Sequence, residues 1–274
     1  MDPELFAEFV ALAHEKAGIS LRRGKEALVA ARVARRQRAL AIAHPRDYLR
    51  YLRDDASGQE LARFLDVIST HYTSFFREAD HLPLLQAEVA AAIDAGRRRV
   101  RLWSAAASSG EEPYTMAMAA LAVPGADRLD LKVLATDIAA ETLRHGAAGA
   151  YAPSRLEPVP PALRDRWFVR RVEPDADEGE VWTVKPALRE RVVFRRLNLS
   201  QPPFPMSGPF DVVFCRNVLI YFDLPTRQRL VAGVEPLLRP GGLLCLGHTE
   251  TLSGLRSGLR MERPSVFRRG AGAP

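Results

Sequence analysis

The chain has 274 residues, 47% of them hydrophobic, and a formal net charge of +6. That is enough apolar material for one large packed domain or two modest ones. No apolar run approaches the roughly 20 residues that a bilayer span requires. The acids and helical periodicity of Met1–Gly18 do not fit a secretory signal. Cys215 and Cys245 fall inside predicted buried strands, and the six histidines are scattered without metal-type spacing. They exclude a disulfide framework and predict no metal site, so the chain reads as a cytoplasmic protein with reduced core thiols.

Asp2-Pro3-Glu4 predicts a helix start, with Gly18 as its stop. Leu5, Phe6, Phe9, Val10 and Leu12 form its apolar stripe. A second helix is predicted over Lys25–Ala41, with Leu28, Val33 and Leu40 inward against Arg32, Arg35, Arg36 and Arg38. A short third helix follows Pro45, around Asp47–Arg53, and a fourth follows Gly58. Residues 1–70 therefore read as a helical domain. Between Lys16 and Arg53 eleven Lys/Arg face only two acids, Glu26 and Asp47. A face of that charge suits an acidic partner.

After a linker and helix over 71–97, the period changes. Strands are predicted at Arg99–Ala105, Leu131–Thr136, Phe210–Cys215 and Leu243–Gly247. Helices alternate with them at Pro113–Ala122, Ala139–Gly146 and Leu224–Leu238, and Ser265–Arg268 supplies a last antiparallel strand. This alternation over 98–270 predicts a doubly wound α/β sheet. The interval of about 151–197 breaks the rhythm and reads as a β-rich insertion. Its extended pieces are Trp167–Val172, Glu180–Val184 and Val192–Leu197.

Three segments carry chemistry. Arg101–Tyr114 (RLWSAAASSGEEPY) is a strand, a small-residue turn ending in Gly110, and a helix start. Such a cradle holds nucleotide-like ligands. The phosphate-binding glycine pattern is missing, and Glu111–Glu112 would repel a pyrophosphate, so a cationic ligand such as S-adenosylmethionine fits better. Asp137 ends the next strand, where a carboxylate can bind ribose hydroxyls or cap the following helix. In Phe210–Tyr221 (FDVVFCRNVLIY) a strand ends by presenting Arg216 and Asn217, with Tyr221 shortly after. Asn217 can bond a ligand or form a turn, and Tyr221 can close a site or join the core. Thr70–Glu78 (THYTSFFRE) joins the two regions and sets Arg77 beside Phe75 and Phe76.

Together with Leu197–Leu199 and Pro240–Glu250 (PGGLLCLGHTE), these strings resemble the chemotaxis receptor methyltransferase family, CheR. The resemblance implies an all-helical domain followed by a class I (Rossmann-like) methyltransferase domain with an inserted β-subdomain. It implies methyl transfer from S-adenosylmethionine to receptor glutamates, leaving S-adenosylhomocysteine. By resemblance the cofactor-side residues are His71, Thr73, Arg77, Glu111, Glu112, Asp137, Asn198, Leu199, Arg216 and Asn217, with Glu112 favoured over Glu111 at the methionine end. Arg77 and Tyr221 would flank the transferred methyl. His71 stands where the family commonly has Asn. The expected partner is the cytoplasmic helical region of a receptor, met by the basic Lys16–Arg53 face of a monomer, with no nucleic acid and no membrane insertion. A methyltransferase acting on another protein or on nucleic acid, and a non-catalytic adaptor of the same fold, are the rival readings.

Overall fold

The computed structural model describes residues 1–21, 24–69, 72–173 and 176–271. Helix α1 (Pro3–Ala17) begins where the Asp2 carboxylate accepts a hydrogen bond from the Glu4 N–H at 3.3 Å. It ends at Gly18, whose left-handed φ of +69° returns its N–H to the His14 carbonyl. Helices α2 (Glu26–Leu40), α3 (Pro45–Asp54) and α4 (Gln59–Ile68) complete the bundle. Phe9, Tyr48 and Phe64 meet at its centre, all buried, with ring centroids between 5.7 and 6.4 Å apart. Burying one such side chain stabilises by about 2 kcal/mol.

The stripe of α2 differs from the sequence expectation. Leu28 is 38% exposed, and Val29 takes the inward place, with Val33 and Gln37 on the same face. The 28/33/40 spacing fits the helical period poorly; 29/33/37 keeps it. Leu28 is thereby released toward the second domain.

That domain opens with α5 (Leu82–Asp94), then β1 (Arg99–Ser104), α6 (Glu111–Leu121), β2 (Asp130–Asp137) and α7 (Ala140–Ala148). There follow β3 (Ala150–Tyr151), α8 (Pro161–Trp167), β4 (Phe168–Val172), β5 (Glu180–Val184), α9 (Pro186–Arg189) and β6 (Val192–Arg196). The chain closes with β7 (Phe210–Cys215), α10 (Leu224–Val234), β8 (Leu238–Leu246), β9 (Leu259–Arg263) and β10 (Val266–Arg269). The main sheet runs β6-β2-β1-β7-β8-β10-β9. Its first five strands are parallel and β10 is antiparallel to both neighbours. Alternate residues of each strand feed two cores. Leu102, Val133, Val212 and Phe214 pack on one face, while Trp103, Val213, Cys215 and Leu244 pack on the other.

One strand expectation is corrected, and one strand was missed. The extended piece from Val192 belongs to the main sheet, where β6 pairs in parallel with β2, and not to the insertion. The inserted sheet is only β3-β5-β4. Composition cannot separate these, because both are short and rich in charge. Strand β9 was not expected from sequence; its short Leu259-Arg260-Met261-Glu262 alternation does not translate into burial, since all but its first residue are exposed.

Strand order reverses between β1 and β7, with β2 and β6 on one side and β8 on the other. Beyond the carboxyl ends of strands at such a reversal, the loops diverge and leave a crevice. The helical domain sits over that opening.

Candidate functional site

A cavity of about 550 Å³ occupies the crevice, within the range of small-molecule sites. The wall from the sheet domain contributes Ala105, Ala106, Ser108, Glu112, Asp137, Leu197, Asn198, Leu199, Arg216, Asn217 and Tyr221. The segment joining the domains adds Tyr72, Thr73 and Arg77. The helical domain closes the far side with Ala17, Ile19, Ser20, Leu21, Lys25, Leu28, Ile68 and Ser69. Among the site residues expected from sequence, Thr73, Arg77, Glu112, Asp137, Asn198, Leu199, Arg216, Asn217 and Tyr221 thus share one cavity. His71 lies outside the described residues.

Glu111 is the exception. It points away, fully buried, accepts a hydrogen bond from Ser109 Oγ at 2.7 Å, and pairs with Arg155 of the insertion. Successive residues at a helix start face about 100° apart, so only one of the two acids can meet the cleft. The pairing has its own use. Arg155 also donates to the Thr73 carbonyl at 3.1 Å, and Tyr151 Oη donates to the Ser109 carbonyl at 2.8 Å. The insertion therefore braces the turn before α6 from behind. Gly110 fits there with φ +96°, and a Cβ at this position would lie 2.8 Å from Tyr151 Oη.

The floor of the cavity is electrostatic. Glu112 accepts a hydrogen bond from Ser104 Oγ at 2.6 Å and meets Arg216 Nε at 3.1 Å. Burial pushes its carboxyl up, while Arg216 and the Ser104 bond pull it down. Arg216, 2% exposed, donates to the Arg77 carbonyl at 2.5 Å and stands 3.7 Å from Glu78. Its two terminal nitrogens are held by protein groups, while its Nε faces Glu112 and Glu78 as an ion pair without a hydrogen bond. Asn217 is a turn former as well as a wall residue, with φ +56°. Its Nδ2 donates to Glu78 Oε1 at 3.1 Å, and its N–H donates to Glu250 Oε2 at 2.8 Å. Glu250 also accepts the N–H groups of Gly247 and Ile220, fastening the ends of β7 and β8 together.

Asp137 lines the cavity but does not cap α7, whose N-cap is Ala139 with no side-chain cap. One oxygen accepts from the Ser108 N–H at 2.8 Å and the other from the Ala139 N–H at 3.0 Å. It steadies the turn after β1 and the approach to α7 while lining the cavity. Asn198 is largely engaged, donating to the Lys16 carbonyl at 2.7 Å and accepting from Ser200 N–H and Oγ. Arg77 donates to the Tyr72 carbonyl at 2.8 Å and lies over the Tyr72 ring, with no carboxylate at ion-pair distance among the described residues.

Sequence reasoning missed Glu78, Glu250, Arg155 and His81. Their partners are remote in the chain, so spacing carried no signal. The reading of scattered histidines also changes, because His81, His248 and Glu78 bring ligand-type atoms within 4.8 Å of one another. Arg216 Nη1, 3.4 Å from His81 Nδ1, sets a positive charge against any cation there. Burial and Arg216 push the His81 imidazole down to about 4.

The basic face also needs correction. Arg36 makes a two-pronged pair with buried Glu60, which Tyr48 Oη also contacts at 2.9 Å, and Arg32 bonds the Ile68 and Ser69 carbonyls. Arg46, Arg50 and Arg53 have acidic neighbours of their own. Lys25, Arg35 and Arg38 are exposed cations without a carboxylate partner among the described residues.

A reversal-point crevice with an acid at the second strand's tip, and no phosphate-binding glycines, defines a class I methyltransferase site. Residues 71–266 match the family described as CheR methyltransferase, SAM binding domain, and residues 4–69 match its all-alpha domain. The chain is 40% identical over 233 residues to chemotaxis protein methyltransferase 2 of Pseudomonas aeruginosa, covering 85% of this chain and 81% of that one. It is 38% identical over 265 residues to the chemotaxis protein methyltransferase of Escherichia coli, covering 96% and 89%, and 39% identical over 265 residues to that of Salmonella typhimurium, covering 96% and 88%. The chain belongs to the CheR methyltransferase family. S-Adenosylmethionine is its cofactor, and the donor set fits: a strand-tip carboxylate for hydroxyls, apolar Leu197 and Leu199, and Glu112 for positive charge. No helix among the described residues is long and apolar enough to cross a membrane.

Proposed function

We propose that the chain methylates glutamate side chains of chemotaxis receptors, giving glutamyl methyl esters as part of chemotactic adaptation in the cytoplasm. One observation carries this reading. A single cleft holds acids suited to a cationic cofactor, Asp137 and Glu112, and a cation without a carboxylate partner, Arg77, suited to a carboxylate acceptor. When bound, S-adenosylmethionine supplies an electrophilic methyl on a sulfonium.

In this reading Asp137 holds the ribose and Glu112 the methionine end. Thr73, Asn198, Leu199, Arg216 and Asn217 border the ligand, and Arg77 and Tyr221 flank the methyl. The acceptor glutamate is already ionised at neutral pH, so no side chain of the enzyme has to remove a proton. Arg77 guides the carboxylate, and a tighter grip would stabilise the ground state and slow transfer. Positioning in a cleft that excludes water supplies most of the acceleration. Arg35 and Arg38 give the helical domain a docking face for acidic receptor helices.

The test is to incubate the protein with methyl-labelled cofactor and receptor membranes, DNA or RNA in parallel. Label released as methanol by mild alkali from the receptor arm alone is the expected result. Alkali-stable label, or label in nucleic acid, refutes it.

A further inference from the structure

Tyr221 reaches the cavity on a short connection, a single turn of 3-10 helix at Leu219–Tyr221 between β7 and α10. Part of what holds that turn comes from the opposite end of the sequence. The Ser20 N–H donates to the Tyr221 carbonyl at 2.7 Å, and Ile19 pairs with Phe222 in an isolated antiparallel bridge. His14 Nε2 lies 2.9 Å from the Asp223 carboxylate, and Asn198 Nδ2 donates to the Lys16 carbonyl. These contacts carry the end of α1 across the rim of the cavity. The crossing depends on Gly18. Its φ is +69°, and a Cβ there would lie 2.8 Å from Ser200 Cβ and 2.9 Å from Thr226 Cγ2.

We propose that the segment His14–Ser20 is a positioning strap for Tyr221, so that the helical domain takes part in methyl transfer itself. The proposal rests on the reading of Tyr221 as a residue flanking the transferred methyl. A carbonyl held by one N–H, beside a residue held in a bridge, removes backbone freedom that a short connection otherwise keeps. Transfer that depends on alignment is sensitive to displacements of about 1 Å, which can cost on the order of a hundredfold. The strap therefore acts through Tyr221 and not by touching the acceptor. Asn198 belongs to the same device, since its amide grips the strap.

A double-mutant cycle on the full chain tests this, using Gly18→Ala, Tyr221→Ala and the pair. Transfer to receptor glutamate is measured alongside titration with S-adenosylhomocysteine. Gly18→Ala should lower kcat by about tenfold or more, with the affinity for S-adenosylhomocysteine changed less than about threefold. In the Tyr221→Ala background the same substitution should change kcat by less than about twofold, because the group it positions is gone. Losses that multiply, or a fall in affinity as large as the fall in kcat, overturn the proposal. Amide exchange on the wild-type chain decides the matter if Gly18→Ala does not fold. The Ser20 N–H should be protected, and exchange at the rate of an open peptide overturns the strap. A wild-type chain that binds S-adenosylhomocysteine but labels no glutamate refutes the functional reading instead, and Ser20 exchange still judges the strap.

Discussion

The Nε atom of Arg216 stands 3.1 Å from Oε2 of Glu112, both side chains withdrawn from bulk water. This pair joins the end of β7 to the first turn of α6 directly under the cavity. Burial still holds the Glu112 carboxyl above its ordinary range, and Arg216 offsets part of that push. Removing the cation leaves that acid stranded. Arg216→Met should lower stability by about 3 kcal/mol or more, read as a drop in thermal midpoint. Glu112→Gln should keep the fold better and weaken S-adenosylhomocysteine binding. An unchanged midpoint in Arg216→Met would show that Glu112 has another means of compensation.

Asp137 and Arg77 should separate binding from transfer. Asp137→Ala removes the acceptor of two backbone N–H groups as well as the proposed ribose contact, so the affinity for S-adenosylhomocysteine should fall about 10- to 100-fold, one or two charged hydrogen bonds' worth. Arg77→Ala should bind that ligand almost normally and lose transfer. Calorimetric titration of both variants is the check. Equal losses of affinity would remove Arg77 from the acceptor side.

His81 sets an acid limit to stability. Its imidazole falls from 6.5 to about 4 in the folded chain. Between those values the unfolded chain binds a proton that the folded chain does not, so stability decreases as pH falls through that window. The full loss below pH 4 is about 3 kcal/mol for this group. The thermal midpoint of the wild type should drop more between pH 7 and pH 5 than that of His81→Gln. Parallel curves for the two proteins would rule His81 out as the source.

The charges of α2 should divide into two kinds. Charge reversal at Arg35 and Arg38 should slow receptor methylation at low salt and blunt its salt dependence, because screening over ~8 Å already removes their reach near physiological salt. Stability should stay within about 0.5 kcal/mol. Arg36→Ala should instead destabilise by about 2 kcal/mol or more, since it leaves the buried carboxylate of Glu60 with only the Tyr48 hydroxyl and a more exposed Arg63 at 3.7 Å. Denaturant melts and initial methylation rates distinguish the two classes.

Gly110→Ala should fold poorly. The position combines a φ of +96° with a Cβ site 2.8 Å from Tyr151 Oη and 2.9 Å from Gly146 Cα. Strain and overpacking of this kind cost about 2 kcal/mol or more, measurable as a fall in thermal midpoint. A midpoint unchanged by the substitution would mean that the insertion does not brace this turn.

Much of this architecture was legible in the residues, because local physics leaves local marks. Asp2, Pro3 and Gly18 mark a helix with a cap at each end, and period-2 strands alternating with helices announce a doubly wound sheet. Strand-end positions picked out Asp137, Arg216 and Asn217, since side chains there meet at the reversal of strand order. Adjacent acids could not be told apart by the same means. Glu111 and Glu112 are equivalent in composition, and only the rotation of α6 sends one to the cavity and the other to Arg155.

By itself the sequence determined the two kinds of domain, their order along the chain, and which strand tips would carry polar groups. Those properties follow from periodicity and from chain punctuation within a few residues. Tertiary structure alone decided that Leu28 leaves the bundle core, that Val192–Arg196 joins the main sheet, and that Arg32 and Arg36 serve the fold. It alone brought Ser20 to Tyr221 and Glu78 to Asn217. Contacts between residues far apart in the chain depend on how finished elements pack, and no spacing along the sequence records that.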